Sequence, residues 1–386
     1  MKLRWWLLIA FTFMMFSLVG QHVVNIDLTK AKHVKVEINK LYDRIEYVPL
    51  ELSPKALIKI KSASYYLSEK YIIAMNFFVG AYLFDRKSGK FIREVSRFGS
   101  GPKEYTFRMI NYYGFDEVNN ILFADDWSKW KGFNINTNEV ATFIKKPTYK
   151  NKKKNLTIYS PWRLGKDKYA SFVNNMTGND PVKLVIYNKD GVVLKSYSND
   201  KHYKDVNNER PFDYGIFYNY KNVTYFKESG YNSPVYSVSE KGMFPHIIFN
   251  LGNKEPSYLN REEKNFNKDK FFIDFVHETD SYVLFNYYIL PDYYSQRIYY
   301  TGYFDKNNKQ TYICDNGKEN SGYYKSNLPP MLPRYITSKG EVMFIIDPSE
   351  LIEYRDKERK TDNKIQPLLA TIKEDDNPIV VIARVR

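Results

Sequence analysis

The side chains able to do chemistry are few, and they fall into three groups. Asp126, Asn175 and Asp213 are oxygen donors on separate stretches of the chain, of the type that holds a hard divalent cation such as calcium when brought together. A cation so held activates water against an ester or lactone, the chemistry of a metal-dependent hydrolase or lyase. The second group is aromatic. Trp127 with Trp130, Tyr231, and Tyr293 with Tyr294 beside Arg297 offer flat rings with polar neighbours, as a sugar or peptide ligand requires. The third is the stretch RFGSGPKEY, residues 97–105. A phosphate-cradling loop needs GxxxxGK followed by Ser or Thr and a helix, whereas Lys103 precedes Glu104 in a β context. The stretch therefore reads as a structural turn: Gly99 and Gly101 permit unusual φ, Pro102 stiffens the crossing, and Glu104 and Tyr105 tie one unit to the next.

Composition removes several alternatives. The single Cys314 cannot form an intramolecular disulfide or a cysteine-based metal site. The histidines at 22, 33, 202, 246 and 277 show no HxxxH or HxH spacing, and no GxSxG elbow occurs. No catalytic residue and no cofactor is assigned, and a divalent cation is the one candidate for a bound group. Residues 1–20, MKLRWWLLIAFTFMMFSLVG, carry two cations and then an unbroken apolar run, the build of a signal peptide rather than of a membrane span. Export is expected, to the periplasm, the cell surface or the medium, with no membrane span in the mature chain. Losing Lys2 and Arg4 with the signal takes the formal net charge from +14 to about +12. The dense cationic cluster, Lys145 to Asn155, reads as a solvated loop, with acidic glycan or lipid head groups as its alternative partners. No nucleic-acid motif is present, and an exported protein seldom meets nucleic acid.

The elements that must position these residues are strands. Tyr (35) and Phe (26) are abundant, and aromatic side chains fit pleated, half-buried surfaces. A hairpin in which a β run reaches a polar turn recurs at Asp85, Asn134, Asn188, Ser239 and Asp305. Two further β-like runs precede each hairpin, which makes four strands per unit, the content of a propeller blade. A sixth inner pair has only NPIVVIARVR at the C-terminus for a third strand, and DRIEYVPLEL near the N-terminus has no unit of its own. Pairing the two closes the ring. The expected fold is all-β: a six-bladed β-propeller of four-stranded antiparallel blades over residues 21–386. Asp347, Pro348 and Glu350 start a helical insertion at about 349–372 in the last blade.

The stretches IEYVPLELSPKALI, LFDRKSGKFIREVSRFGSGPKEY, INYYGFDEVNNILFADD and DDNPIVVIARVR resemble the six-bladed β-propeller family of Bacteroidetes, exported proteins mostly of unknown function. The family's turn reads Gly, any residue, Gly, Pro, Gly, Glu, Tyr, and Lys103 replaces its third glycine. The resemblance implies the fold and brings no established ligand or reaction with it.

In such a ring the crossings between blades and the loops between second and third strands share one face, around the channel mouth. That face collects residues 76–80, 125–130, 175–180, 228–234, 290–297 and the helical insertion. The expectation is a monomeric, exported binding protein that takes a carbohydrate or peptide at the cell envelope through this aromatic face. A metal-dependent hydrolase or lyase at the channel mouth and an envelope protein-interaction scaffold stand as alternatives.

Overall fold

The computed structural model describes residues 23–386 except 37, 59–62, 77–78, 107–112, 149–156, 176–177, 204–213, 230, 232–233, 259–266, 292–296, 315–330 and 358–364. Asp213, Tyr293, Tyr294 and the signal-like residues 1–20 therefore lie outside the described residues.

The strands build six sheets of four or five strands. The first three strands, β1 (Val24–Asp27), β2 (Lys32–Val34) and β3 (Tyr42–Pro49), are all given to late blades. Blade 1 is β4 (Ala63–Leu67), β5 (Tyr71–Asn76), β6 (Gly80–Asp85), β7 (Phe91–Phe98) and the two-residue β8 (Glu104–Tyr105). Blade 2 is β9 (Tyr113–Asp116), β10 (Ile121–Asp126), β11 (Lys129–Asn134) and β12 (Glu139–Lys145). Blade 3 is β13 (Trp162–Gly165), β14 (Lys168–Phe172), β15 (Val182–Asn188) and β16 (Val193–Ser198). Blade 4 is β17 (Gly215–Tyr220), β18 (Val223–Glu228), β19 (Val235–Val238) and β20 (Met243–Asn250). Blade 5 is β21 (Phe272–Glu278), β22 (Tyr282–Ile289), β23 (Ile298–Asp305) and β24 (Gln310–Cys314). Blade 6 is β25 (Pro333–Ile336), β26 (Glu341–Ile346) and β27 (Ile379–Val385), completed by β3. Two helices, α1 (Pro348–Lys357) and α2 (Gln366–Thr371), interrupt blade 6 between its second and third strands, where the sequence placed an insertion.

The core lies between blades, because each sheet buries both faces against its neighbours. Ile73 and Leu83 of blade 1 meet Leu122 and Phe133 of blade 2, and Trp130 and Phe123 of blade 2 meet Tyr187 of blade 3, which in turn packs toward Phe226 of blade 4. Further round, Phe249 meets Phe285 at the junction of blades 4 and 5, Tyr303 meets Phe344 at blades 5 and 6, and Val380 meets Ile72 where blade 6 returns to blade 1. Middle strands are consequently near-continuous apolar runs, such as YIIAMN in β5, whereas the outermost β16 is largely exposed.

Closure is antiparallel: Val380 faces Val48 and Val381 faces Tyr47 in the β27–β3 ladder. Asn377 reinforces it from a buried position, donating to Glu51 O (2.8 Å) and Ala56 O (2.7 Å) and accepting from Ile58 N (2.8 Å). The fifth strands were not foreseen. β1 runs parallel to β20 and β2 parallel to β24, so the amino-terminal segment covers the outer edges of blades 4 and 5 on its way to blade 6.

RFGSGPKEY carries the chain from the outer strand of blade 1 toward the inner strand of blade 2, and β8 pairs parallel to β7 through Arg97 with Glu104. The expectation of unusual φ is corrected: neither Gly99 nor Gly101 has a positive φ. Glycine is required by close approach instead. The Glu104 carboxylate folds back to accept from Gly101 N (2.7 Å), and a Cβ at Gly99 would collide with that same carboxylate. Lys131 of blade 2 donates to Glu104 O (2.5 Å), and Tyr105 is buried between the two blades. Gly99→Ala is expected to displace the carboxylate and forfeit one charge-assisted hydrogen bond, about 1.5–3 kcal/mol. A double-mutant cycle with Glu104→Ala in denaturant checks this: the two losses overlap if the account holds and add if Gly99 is needed for another reason.

Candidate functional site

The hairpin DDWSKW sends its two tryptophans in opposite directions. Trp127 sits at the tip with φ 59° and is 66% exposed. Trp130 pairs across the ladder with Asp125, and both are buried. The expectation that Trp130 offers a ring to a ligand is therefore corrected: it is core between blades 2 and 3, with the Lys146 ammonium 4.6 Å from its ring centroid. Lys146 and Asp125 form a close pair at 2.6 Å, and burial pushes the Asp125 carboxyl up to about 6 despite that partner. Tyr231 is corrected in the same way: it is buried, edge-on to Tyr258, with the Lys201 ammonium over its ring.

The oxygen donors weighed for a cation already have partners. Asp126 accepts from Thr106 Oγ1 (2.8 Å) and lies 3.6 Å from Lys131 and 3.7 Å from Lys129. Asn175 is buried, donating to Lys201 O (2.8 Å) and accepting from Asp180 N (2.9 Å). Both belong to blade-to-loop ties, and they are not brought together; among the described residues no group of three or more His, Cys, Asp or Glu is arranged for a metal ion.

A different set of residues meets where blades 4, 5 and 6 face the channel. In β21 the ladder to β22 runs from Ile273 opposite Tyr287 directly to Phe275 opposite Asn286, so Asp274 is an extra residue without a partner. In β25 the register likewise passes from Pro333 opposite Phe344 to Tyr335 opposite Met343, leaving Arg334 as the extra residue. These are β-bulges on two adjacent innermost strands, and bulges re-aim side chains that a regular ladder would send into the sheet interface. Arg297 joins them from the edge of β23. Its guanidinium lies 4.4 Å from the centroid of the Tyr288 ring, and it hydrogen-bonds Tyr299. Tyr214, just before β17, donates to the backbone oxygen of Asp274 (3.2 Å).

The electrostatics of this set are unbalanced. Asp274 Oδ1 is buried and has no hydrogen-bond partner among the described residues. Burial pushes its carboxyl up to about 6, even with the positive charges of Arg297, Arg334 and Lys227 pulling it down. For Arg297, burial works against the charge, but Tyr288 and Tyr299 outweigh it and hold the guanidinium firmly protonated. Neither Arg297 nor Arg334 closes an ion pair within 4.0 Å among the described residues, although Asp347 and Glu350 at the start of α1 lie toward Arg334. Two cationic forks and one carboxylate thus sit within electrostatic reach of one another without neutralising each other.

At the other end of the channel the blades are tied together. Glu117 of blade 2 accepts from Ser338 N (2.8 Å) and from the Tyr335 hydroxyl of blade 6, and Tyr66 of blade 1 packs against Phe115 and Tyr335. Among the described residues expected to bind, only Arg297 takes part in this polar set. Asp274, Arg334, Tyr214 and Tyr299 were missed, because a bulge leaves no mark on a sequence that keeps its β pattern.

These features define a six-bladed β-propeller in which Asp274, Arg297 and Arg334 of blades 5 and 6 lie within electrostatic reach of one another. The chain belongs to the family described as Domain of unknown function (DUF4934), whose model matches residues 22–384. Among solved structures, a protein of Bacteroides fragilis described as a candidate exported protein is similar with a TM-score of 0.70 and 16% identity, over 95% of this chain and 100% of that one. At that identity the likeness speaks for the fold. A computationally designed protein, Ika8, matches at a TM-score of 0.37 and 10% identity over 78% of this chain and 84% of its own. Comparison with the curated proteins gives no match. Among the described residues no helix is long and apolar enough to cross a membrane.

Proposed function

We propose that the protein is an exported binding protein that takes a carbohydrate or peptide ligand at the cell envelope, in the channel mouth between blades 4, 5 and 6. The observation that carries this reading is the buried, unpartnered oxygen of Asp274, raised on a bulge beside Arg297 and Arg334. Buried polar atoms are nearly always hydrogen-bonded in folded proteins, so an acceptor left open at a channel is suited to a ligand donor. Tyr288, buried and stacked on Phe272, holds Arg297 over its other face, and the half-buried Tyr299 is the aromatic ring beside that guanidinium. Export is supported by the signal-like residues 1–20 and by the description of the Bacteroides fragilis protein with the same fold.

The reading is tested by presenting the chain from residue 21 to arrays of glycans and peptides, alongside Arg297→Ala and Trp127→Ala variants. Retention of a saccharide or peptide by the wild type, lost at least tenfold with Arg297→Ala, is the expected outcome. Trp127 lies on blade 2, opposite blade 5 in the ring, so Trp127→Ala has the smaller effect. Loss with Trp127→Ala and none with Arg297→Ala places the site on blade 2 and overturns the reading.

A further inference from the structure

We propose that the channel mouth recognises an acidic saccharide, its carboxylate held between the guanidinium groups of Arg297 and Arg334 and its hydroxyls hydrogen-bonded to Asp274. The inference rests on the reading of the mouth as a ligand site and adds the ligand's charge.

Three observations converge. The two arginines come from separate places, Arg297 just before β23 and Arg334 on the bulge of β25, and neither is neutralised by an ion pair within 4.0 Å among the described residues. A guanidinium presents a planar fork of donors that matches a carboxylate, and two of them within electrostatic reach of Asp274 favour an anionic group beside it. Arg297 is fixed in place by Tyr288 and Tyr299, so little side-chain freedom is lost when an anion arrives. Lys227, the other cation facing Asp274, is buried and already donates to Glu228 O (2.9 Å), which leaves the arginines as the recognition groups.

Asp274 decides between a sugar and a zwitterion. A ligand ammonium at Asp274 would meet the positive charges of Arg297, Arg334 and Lys227, which already act on that carboxyl, whereas a neutral hydroxyl meets no such repulsion. Hydroxyl groups pair with either form, donating to the carboxylate or accepting from the carboxyl. A uronate offers what the set lacks: one carboxylate for the arginines and adjacent hydroxyls for Asp274. The opposing charges are Asp347 and Glu350. Asp347 caps α1 through Ser349 N (3.0 Å) and its hydroxyl (2.6 Å), and Glu350 is exposed at the first turn, where it approaches Arg334 without closing a pair.

The test is calorimetric titration of the chain from residue 21 at pH 7 with tetragalacturonate and tetramannuronate, each against its methyl ester, which keeps the size and hydroxyls and removes the charge. The acids are expected to bind at least tenfold more tightly than the esters. Arg334→Gln, at an exposed position, is expected to remove that preference with thermal melting unchanged; Arg334→Lys restores part of it. Equal binding of acid and ester overturns the acidic assignment and leaves the saccharide reading standing. A free-acid tetrapeptide bound more tightly than either acid overturns the saccharide class, and failure of all probes overturns both. A preference for the acids that survives Arg334→Gln also contradicts the inference.

Discussion

A chain ending at residue 376 does not fold into a cooperative ring. The lost segment supplies β27, the one strand paired with β3 among the described residues and a middle strand of blade 6. Ile379, Val380, Val381 and Ile382 are buried, and burying such side chains contributes about 1.5–3 kcal/mol each. Four of them amount to about 6–12 kcal/mol, comparable with the total stability of about 5–15 kcal/mol typical of a folded protein. The truncation also removes Asn377, whose three hydrogen bonds hold residues 51–58 against blade 6, and leaves both β26 and β3 as unpaired edges. Circular dichroism and size-exclusion chromatography check the outcome. Aggregation or a non-cooperative melt is expected, whereas a soluble truncation with one sharp transition contradicts closure by mixed termini.

Asp274→Asn makes the protein more stable at pH 8 while abolishing ligand binding. Burial raises the folded-state pKa of Asp274 to about 6, well above the ordinary aspartate range, so the native fold disfavours the ionised form relative to the unfolded chain. A raised pKa gives stability that is present below the unfolded value and lost as pH rises through the folded one. Above about pH 6 the wild type carries the full penalty and the asparagine variant does not. Two pKa units correspond to about 3 kcal/mol, and the partial solvent access of Asp274 reduces this to about 1–3 kcal/mol. The difference shrinks as pH falls through 6 and is gone below about pH 4. Denaturant unfolding at pH 8, 6 and 4 measures it directly. A variant less stable than the wild type at every pH would show that the carboxylate serves the fold. Stabilisation bought by removing a charged group from a site, with function lost, is the usual mark of a residue kept for binding.

The fold was legible because it repeats. Six β-rich units, a C-terminal run lacking its fourth strand and an amino-terminal run lacking a unit together require closure, and Asp347 with Pro348 marks the inserted helix. The added strands β1 and β2 were not legible: VNID and KHV are too short for any alternation, and they are strands only because the edges of blades 4 and 5 accept them. The candidate site was legible in one residue. Trp127 and Trp130 look equivalent in DDWSKW, and their ladder positions alone send one outward and one into the core. FIDFVHE and PRYI read as ordinary strands, and the bulges that leave Asp274 and Arg334 out of register depend on partners in β22 and β26. Gly99 was correctly read as a position needing glycine for the wrong reason: the constraint is the returning carboxylate of Glu104 and not the backbone angle.

The most direct measurement is a crystal structure of the chain soaked with the saccharide or peptide that the array retains. The account predicts ligand density in the loop-face mouth of the channel, with an acidic group between Arg297 and Arg334 and an oxygen or nitrogen within hydrogen-bond distance of Asp274. Density against Trp127 or on an outer blade edge, with the channel mouth free of ligand, would contradict it.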